Sequence, residues 1–166
     1  SAASDVYKRQ VHKRLRQALR QDVPGSRSED GMDIALIGYH RPTGQVHYAG
    51  ANRPLWVVEP NQEEPIEYSA DRKGIGGSSA PAEHFFTLHV IEPPKGSWFY
   101  MSSDGFADQF GGKAGKKYMS KRFKRFLAQI ASLSPEAQAQ ALEAELASWK
   151  GDNPQVDDIL VVGLRP

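Results

Sequence analysis

The sequence contains no cysteine. That excludes disulfides and thiolate metal sites, and it fits a cytoplasmic setting. An excess of either charge is also missing: 21 basic residues stand against 20 acidic ones, for a formal net charge of +1. A general nucleic-acid binder carries a strongly basic face, which such a balance does not suggest. Long apolar runs are absent as well. The longest, Ile34-Ala35-Leu36-Ile37 and Leu55-Trp56-Val57-Val58, are strand-sized, far short of the ~20 residues of a membrane helix. No secretory signal, internal repeat or linker is visible, so nothing marks this segment for a membrane.

What remains is 166 residues, 39% of them apolar, enough to build one domain with a real core. Ser1–Gln10 shows no apolar period and reads as an artefactual leader, which puts the domain at 11–166. From Val11 to Gln21, Val11, Leu15, Ala18 and Leu19 recur at helical spacing, with Lys13, Arg14, Arg16 and Arg20 facing out. This predicts a solvated basic helix, with phosphate binding the less favoured alternative; Pro24-Gly25-Ser26 ends it. Strands are expected at Asp33–Tyr39, Gln45–Ala51, Leu55–Val58 and, shorter, Ile66–Tyr68. Arg41-Pro42-Thr43-Gly44 turns the first into the second, and the set reads as an antiparallel meander.

Asp71–Pro81 holds Gly74-Ile75-Gly76-Gly77-Ser78-Ser79. It lacks the Gly-Lys-Ser/Thr ending of a nucleotide loop and precedes a strand, so it reads as a flexible connection, with a substrate-facing flap as the alternative. Phe85–Ile91 alternates as a strand. His84 and His89, five apart, then face opposite sides and cannot pair on zinc. Phe123, Phe126, Leu127 and Ile130 form a helical stripe, and Ala139, Leu142, Leu146 and Trp149 form another. Ser134-Pro135-Glu136 opens the second helix and Lys150-Gly151 closes it. A last strand is predicted at Ile159–Leu164. The order helix, strands, two helices, strand predicts an α+β fold with antiparallel sheet.

Two acidic corners carry the chemistry. Trp98-Phe99-Tyr100-Met101-Ser102 rises as a buried strand and ends in Ser103-Asp104-Gly105, while Asp157-Asp158 opens the last strand. If the two strands pair antiparallel, Asp104 converges with the Asp157-Asp158 pair. Clustered aspartates repel unless neutralised, and hard divalent cations suit all-oxygen sites. On spacing alone, an ordinary Asp-Gly turn and strand-edge charge are the favoured alternatives.

The motifs in sequence then meet a family. Asp33-Ile34-Ala35-Leu36, the run Thr43 to Leu55, Ile75-Gly76-Gly77, the run Ser102 to Gly112, and Asp157-Asp158-Ile159-Leu160-Val161 agree in order and spacing with one pattern. The chain from Val11 onward resembles the catalytic domain of PPM-type, metal-dependent serine/threonine phosphatases, in the sporulation stage II protein E (SpoIIE) branch. The resemblance implies an α-β-β-α sandwich, truncated at its N-terminus, with a two-metal centre of Mn²⁺ or Mg²⁺ at one edge. It places Asp104 and Asp157 as catalytic metal ligands, gives Asp158 an orienting role, and sets Asp108 beside the site or as a cap of the following turn. Gly105 would let the backbone pass close by.

The family's first metal motif, an aspartate followed shortly by Gly-His-Gly, is missing from this sequence, and its Ala-Gly-His is altered to Gly50-Ala51-Asn52-Arg53. Two functions are therefore expected. One is hydrolysis of phosphoserine or phosphothreonine on a signalling protein, such as an anti-sigma-factor antagonist, under an upstream sensor or repeat domain of the parent. The other is a catalytically incomplete, phosphatase-like binding module.

Overall fold

The computed structural model describes residues 31–76 and 86–166, together with Lys13, Arg14, Gln17, Ala18 and Gln21. The leader 1–10, the Pro24-Gly25-Ser26 turn, His84, Phe85 and the Gly77–Pro81 part of the glycine-rich segment lie outside these residues, as does most of the predicted first helix. Lys13, Arg14, Gln17 and Ala18 are helical, and all four are exposed, including Ala18, which the spacing placed inward. The chain divides into two compact units, one of residues 1–55 and 68–92, the other of 56–67 and 93–166.

In the first unit, β1 (Gly31–Met32), β2 (Ile34–His40), β3 (Gln45–Ala51), β6 (Ile75–Gly76) and β7 (His89–Ile91) form a three-stranded sheet, β2-β3-β7, and a two-stranded one, β1-β6. The β2–β3 hairpin runs in unbroken antiparallel register from Ile34↔Ala51 to His40↔Gln45. Thr43 fastens its turn by meeting His40 Nδ1 through its hydroxyl at 2.7 Å, and Gly44 supplies the positive φ of 72° that the turn needs. Val46 and Tyr48 of β3 are fully buried, which is why the alternation Gln45–Ala51 was legible. The strand expected over Phe85–Ile91 pairs only from His89, because Asp71 captures Thr87 first: its carboxylate accepts from Thr87 N at 2.7 Å and from Thr87 Oγ1 at 3.1 Å.

The predicted meander does not continue through Asn52-Arg53-Pro54. Asn52 adopts a left-handed φ of 58°, which asparagine tolerates better than most residues, and Pro54 cannot donate to a ladder. The next strand, β4 (Leu55–Val58), therefore belongs to a different sheet, with order β11-β8-β4-β5, where β5 is Ile66–Tyr68, β8 Trp98–Ser102 and β11 Val161–Leu164.

That four-stranded sheet organises the second unit. Alternation along β4 and β8 sends Trp56, Val58, Trp98 and Tyr100 to one face, where they pack with Phe106, Tyr118, Phe123, Leu127 and Ile130. Val57 and Phe99 point to the other face and are buried there too. The helix Ser120–Ile130 supplies Phe123, Leu127 and Ile130 to this core, as its stripe predicted. The helix Pro135–Lys150 contributes Ala141, Leu142, Leu146 and Trp149, while Ala139, expected on that face, is exposed. A short helix Gly105–Asp108 and the hairpin of β9 (Phe110–Gly111) with β10 (Lys116–Lys117) complete the unit.

Candidate metal centre

The site grows out of one ladder. β8 and β11 pair antiparallel, with Val161 opposite Ser102 and Leu164 opposite Phe99. The residues that follow β8 thus lie beside those that precede β11, as the convergence of the acidic corners requires. β11 begins at Val161, two residues later than expected. The physical reason is Ser103. Its hydroxyl donates to the Asp158 carbonyl at 2.8 Å and accepts from Leu160 N at 2.9 Å, while its own N–H donates to the Leu160 carbonyl at 3.0 Å. The serine side chain takes the place of a ladder partner, and Asp157 and Asp158 are left in an irregular turn ahead of the strand.

Two further contacts close the corner. Gly105 lies so near the Asp158 carbonyl that a Cβ at this position would overlap it. Asp157 turns its Oδ1 back to accept from Asp158 N at 2.7 Å, and its carbonyl accepts from Gln155 Nε2 at 2.8 Å. Asp104 occupies the N-cap of Gly105–Asp108 without a side-chain capping bond, while its carbonyl accepts from Asp108 N at 2.9 Å. Alternation along an extended strand therefore does not distinguish Asp157 from Asp158, since neither is in the strand; the hydrogen bond from Asp158 N orients Asp157 instead.

Asp104 and Asp157 are thus carried to neighbouring corners of one sheet edge, both within reach of solvent. Carboxylates in such a place have the oxygen-donor chemistry of a Mg²⁺ or Mn²⁺ ligand set. Among the described residues no group of three or more His, Asp or Glu gathers around a single point. Asp104 and Asp157 by themselves do not make up a closed ligand cage. Asp108 belongs to another interaction: its carboxylate pairs with Lys117 Nζ at 3.0 Å.

The altered tetrapeptide has a structural counterpart in the first unit, where sequence reading assigned it no role. Asp33 Oδ1 accepts from Asn52 Nδ2 at 2.8 Å, and Asp33 Oδ2 pairs with Arg53 at 2.9 Å. The two residues that depart from the family pattern hold the aspartate that precedes β2. The signal available beforehand was only that Asn52 and Arg53 changed together.

With this arrangement in view, the comparisons define the class. The sequence pattern of the family described as Stage II sporulation protein E (SpoIIE) matches residues 2–166. The chain belongs to the SpoIIE family of PPM-type phosphatase domains, and its mixed sheets and helices have the fold of that group. Among solved structures, it is similar to the SiaA-PP2C domain of Pseudomonas aeruginosa, at 30% identity and a TM-score of 0.75 over 93% of this chain and 58% of the other. It is also similar to the phosphatase domain of SpoIIE from Bacillus subtilis, presoaked with Mn, at 19% identity, a TM-score of 0.58, and 93% and 63% coverage. PppA of Pseudomonas aeruginosa, a regulatory component of its T6SS, matches at 16% identity and a TM-score of 0.65 over 99% of this chain and 68% of PppA. The latter two likenesses concern the fold alone. The chain therefore spans less than two thirds of the first two domains it resembles. No curated protein matches it.

Proposed function

We propose that the protein is part of a metal-dependent protein phosphatase that hydrolyses phosphoserine or phosphothreonine on a bacterial signalling protein, an anti-sigma-factor antagonist being the favoured substrate class. The observation that carries this reading is the β8–β11 ladder, fastened by Ser103, which delivers Asp104 and Asp157 to one edge. Similarity to the SiaA-PP2C domain supports it. Asp104 and Asp157 would hold Mn²⁺ or Mg²⁺, whose chemistry is to supply an activated water and to neutralise phosphoryl charge. The chain's own residues set the geometry. Ser103 holds the Asp158 carbonyl, Asp158 N fixes one oxygen of Asp157, and Gly105 keeps the two backbones close. A cytoplasmic location is part of the proposal; no described helix is long and apolar enough to cross a membrane.

The test is phosphate release from a phosphoserine peptide by the protein extended upstream, with and without Mn²⁺. Asp104→Asn is expected to lower Mn²⁺-dependent turnover by about 100-fold or more, since it removes a ligand rather than one of the outer partners whose loss typically costs ~10–100-fold. Full activity in Asp104→Asn would remove Asp104 from the site. A second reading, a phosphatase-like binding module, is favoured by one observation: Asn52 and Arg53 are committed to Asp33. Calorimetry separates the two, because absence of Mn²⁺ binding in the extended protein supports the binding module.

A further inference from the structure

A concave surface of about 640 Å³ opens in the second unit beside the helix Ser120–Ile130. Its walls carry Lys121, Arg122 and Arg125 against a single acid, Glu145. Arg122 is spoken for: it pairs with Glu145 at 2.9 Å and lies over the rings of Tyr118, at 4.7 Å, and Trp149, at 4.4 Å. Arg125 reaches Glu64 at 2.9 Å, but both side chains are more than half exposed, and exposed pairs of this kind exchange partners at little cost. In a chain whose total charge is nearly balanced, this is a local excess of positive charge.

The rim of the same hollow is formed by Met119, which is unusual twice over. It is 59% exposed, and its backbone sits at φ 75°, ψ 138°, a region that L residues enter only under strain. Nothing in the neighbouring hydrogen bonds requires a methionine there. Its N–H reaches the Ala107 carbonyl and its carbonyl accepts from Arg122 N and Phe123 N, all through backbone atoms that glycine also has. A flexible apolar side chain is thus held out to solvent, at a backbone position suited to glycine, in the hollow that Lys121 and Arg125 also line. Methionine at such a surface is a common device for adaptable apolar contact.

We propose that this groove docks an acidic segment of a partner protein, with carboxylates facing Lys121 and Arg125 and an apolar side chain resting on Met119. The complementarity of charge selects the partner's chemistry, and Met119 supplies the apolar anchor that charge alone lacks. The proposal stands whether or not the acidic edge is catalytic, because none of its residues belongs to that edge.

The experiment is fluorescence anisotropy with a labelled glutamate-rich peptide carrying a leucine pair, titrated with the full chain. Saturable binding is expected, weakening at least about tenfold when Lys121→Glu and Arg125→Glu are combined, and weakening as salt screens the charges. Met119→Gly supplies the second readout: relief of backbone strain is expected to raise the melting temperature while affinity for the peptide falls. Equal affinity in Met119→Gly, or indifference to the double charge reversal, overturns the proposal. So does tighter binding of a single-stranded oligonucleotide than of the peptide, which would mark the cations as a nucleic-acid surface.

Discussion

Gly105 shows how much a single residue decides. An alanine there would drive its methyl group into the Asp158 carbonyl, a backbone atom that cannot swing aside. Gly105→Ala is expected to destabilise the protein by about 1–3 kcal/mol, read by urea unfolding. An unchanged unfolding midpoint would mean that the corner relaxes freely. The glycine was legible beforehand through the family resemblance, which implied a backbone passing close by; the Asp-Gly pair alone read equally as a common turn. Ser103 was not, since a serine beside an aspartate carries no mark of the three hydrogen bonds it makes to a segment 55 to 57 residues later. Glu67 is a second residue with a measurable consequence. The Lys124 ammonium, 2.8 Å away, holds its carboxyl below the ordinary value of 4.5, against the opposing effect of partial burial and with help from the Trp56 N–H. A depressed carboxyl contributes stability that is fully present above pH 4.5 and is lost as pH falls through the lower folded value. Wild type should therefore lose stability on acidification from pH 4.5 more steeply than Glu67→Gln, and the two melting curves should draw together at the lowest pH. Parallel curves would show that the contact contributes nothing.

At the scale of elements, the helix Pro135–Lys150 was the best announced. Ser134 accepts from Ala137 N, Pro135 opens the first turn, and Gly151 ends the helix with a φ of 52°. Ser134→Ala is expected to cost about 0.5–2 kcal/mol, seen as a lower urea midpoint at unchanged slope, and no loss would make the cap redundant. The face of this helix was harder to read. Gln138 is buried beside Ala141 and Leu142, accepting from Tyr100 Oη at 2.8 Å and donating to the Leu133 carbonyl at 3.1 Å. Burial pushes the Tyr100 phenol up, so it stays a donor to Gln138. A polar residue that finds both its partners belongs in a core, yet hydrophobic periodicity does not score it. The same blindness explains the strand boundaries. β7 and β11 each start late where a side chain, Asp71 or Ser103, captures a backbone N–H ahead of the ladder. Alternation along the sequence registers side-chain burial, not who receives the amide proton.

For the molecule as a whole, composition and motif order were enough to give the α+β class and the SpoIIE family. The pairing of β8 with β11 was legible as a condition: acids follow the one strand and precede the other, and only antiparallel order brings those two ends together. The distribution of strands between two sheets was not, because it turns on the left-handed backbone of Asn52. The β8–β11 ladder also has a bearing on time. Its strands are separated in sequence by the short helix, a hairpin and two longer helices, and closing so long a loop costs entropy that local contacts do not. The helical segments can order as soon as their turns form, whereas the aspartates meet only when the ends of this long excursion are joined. The acidic corner thus depends on a pairing of long sequence separation, whereas the helix that brings Phe123 and Leu127 to the core is built from local contacts.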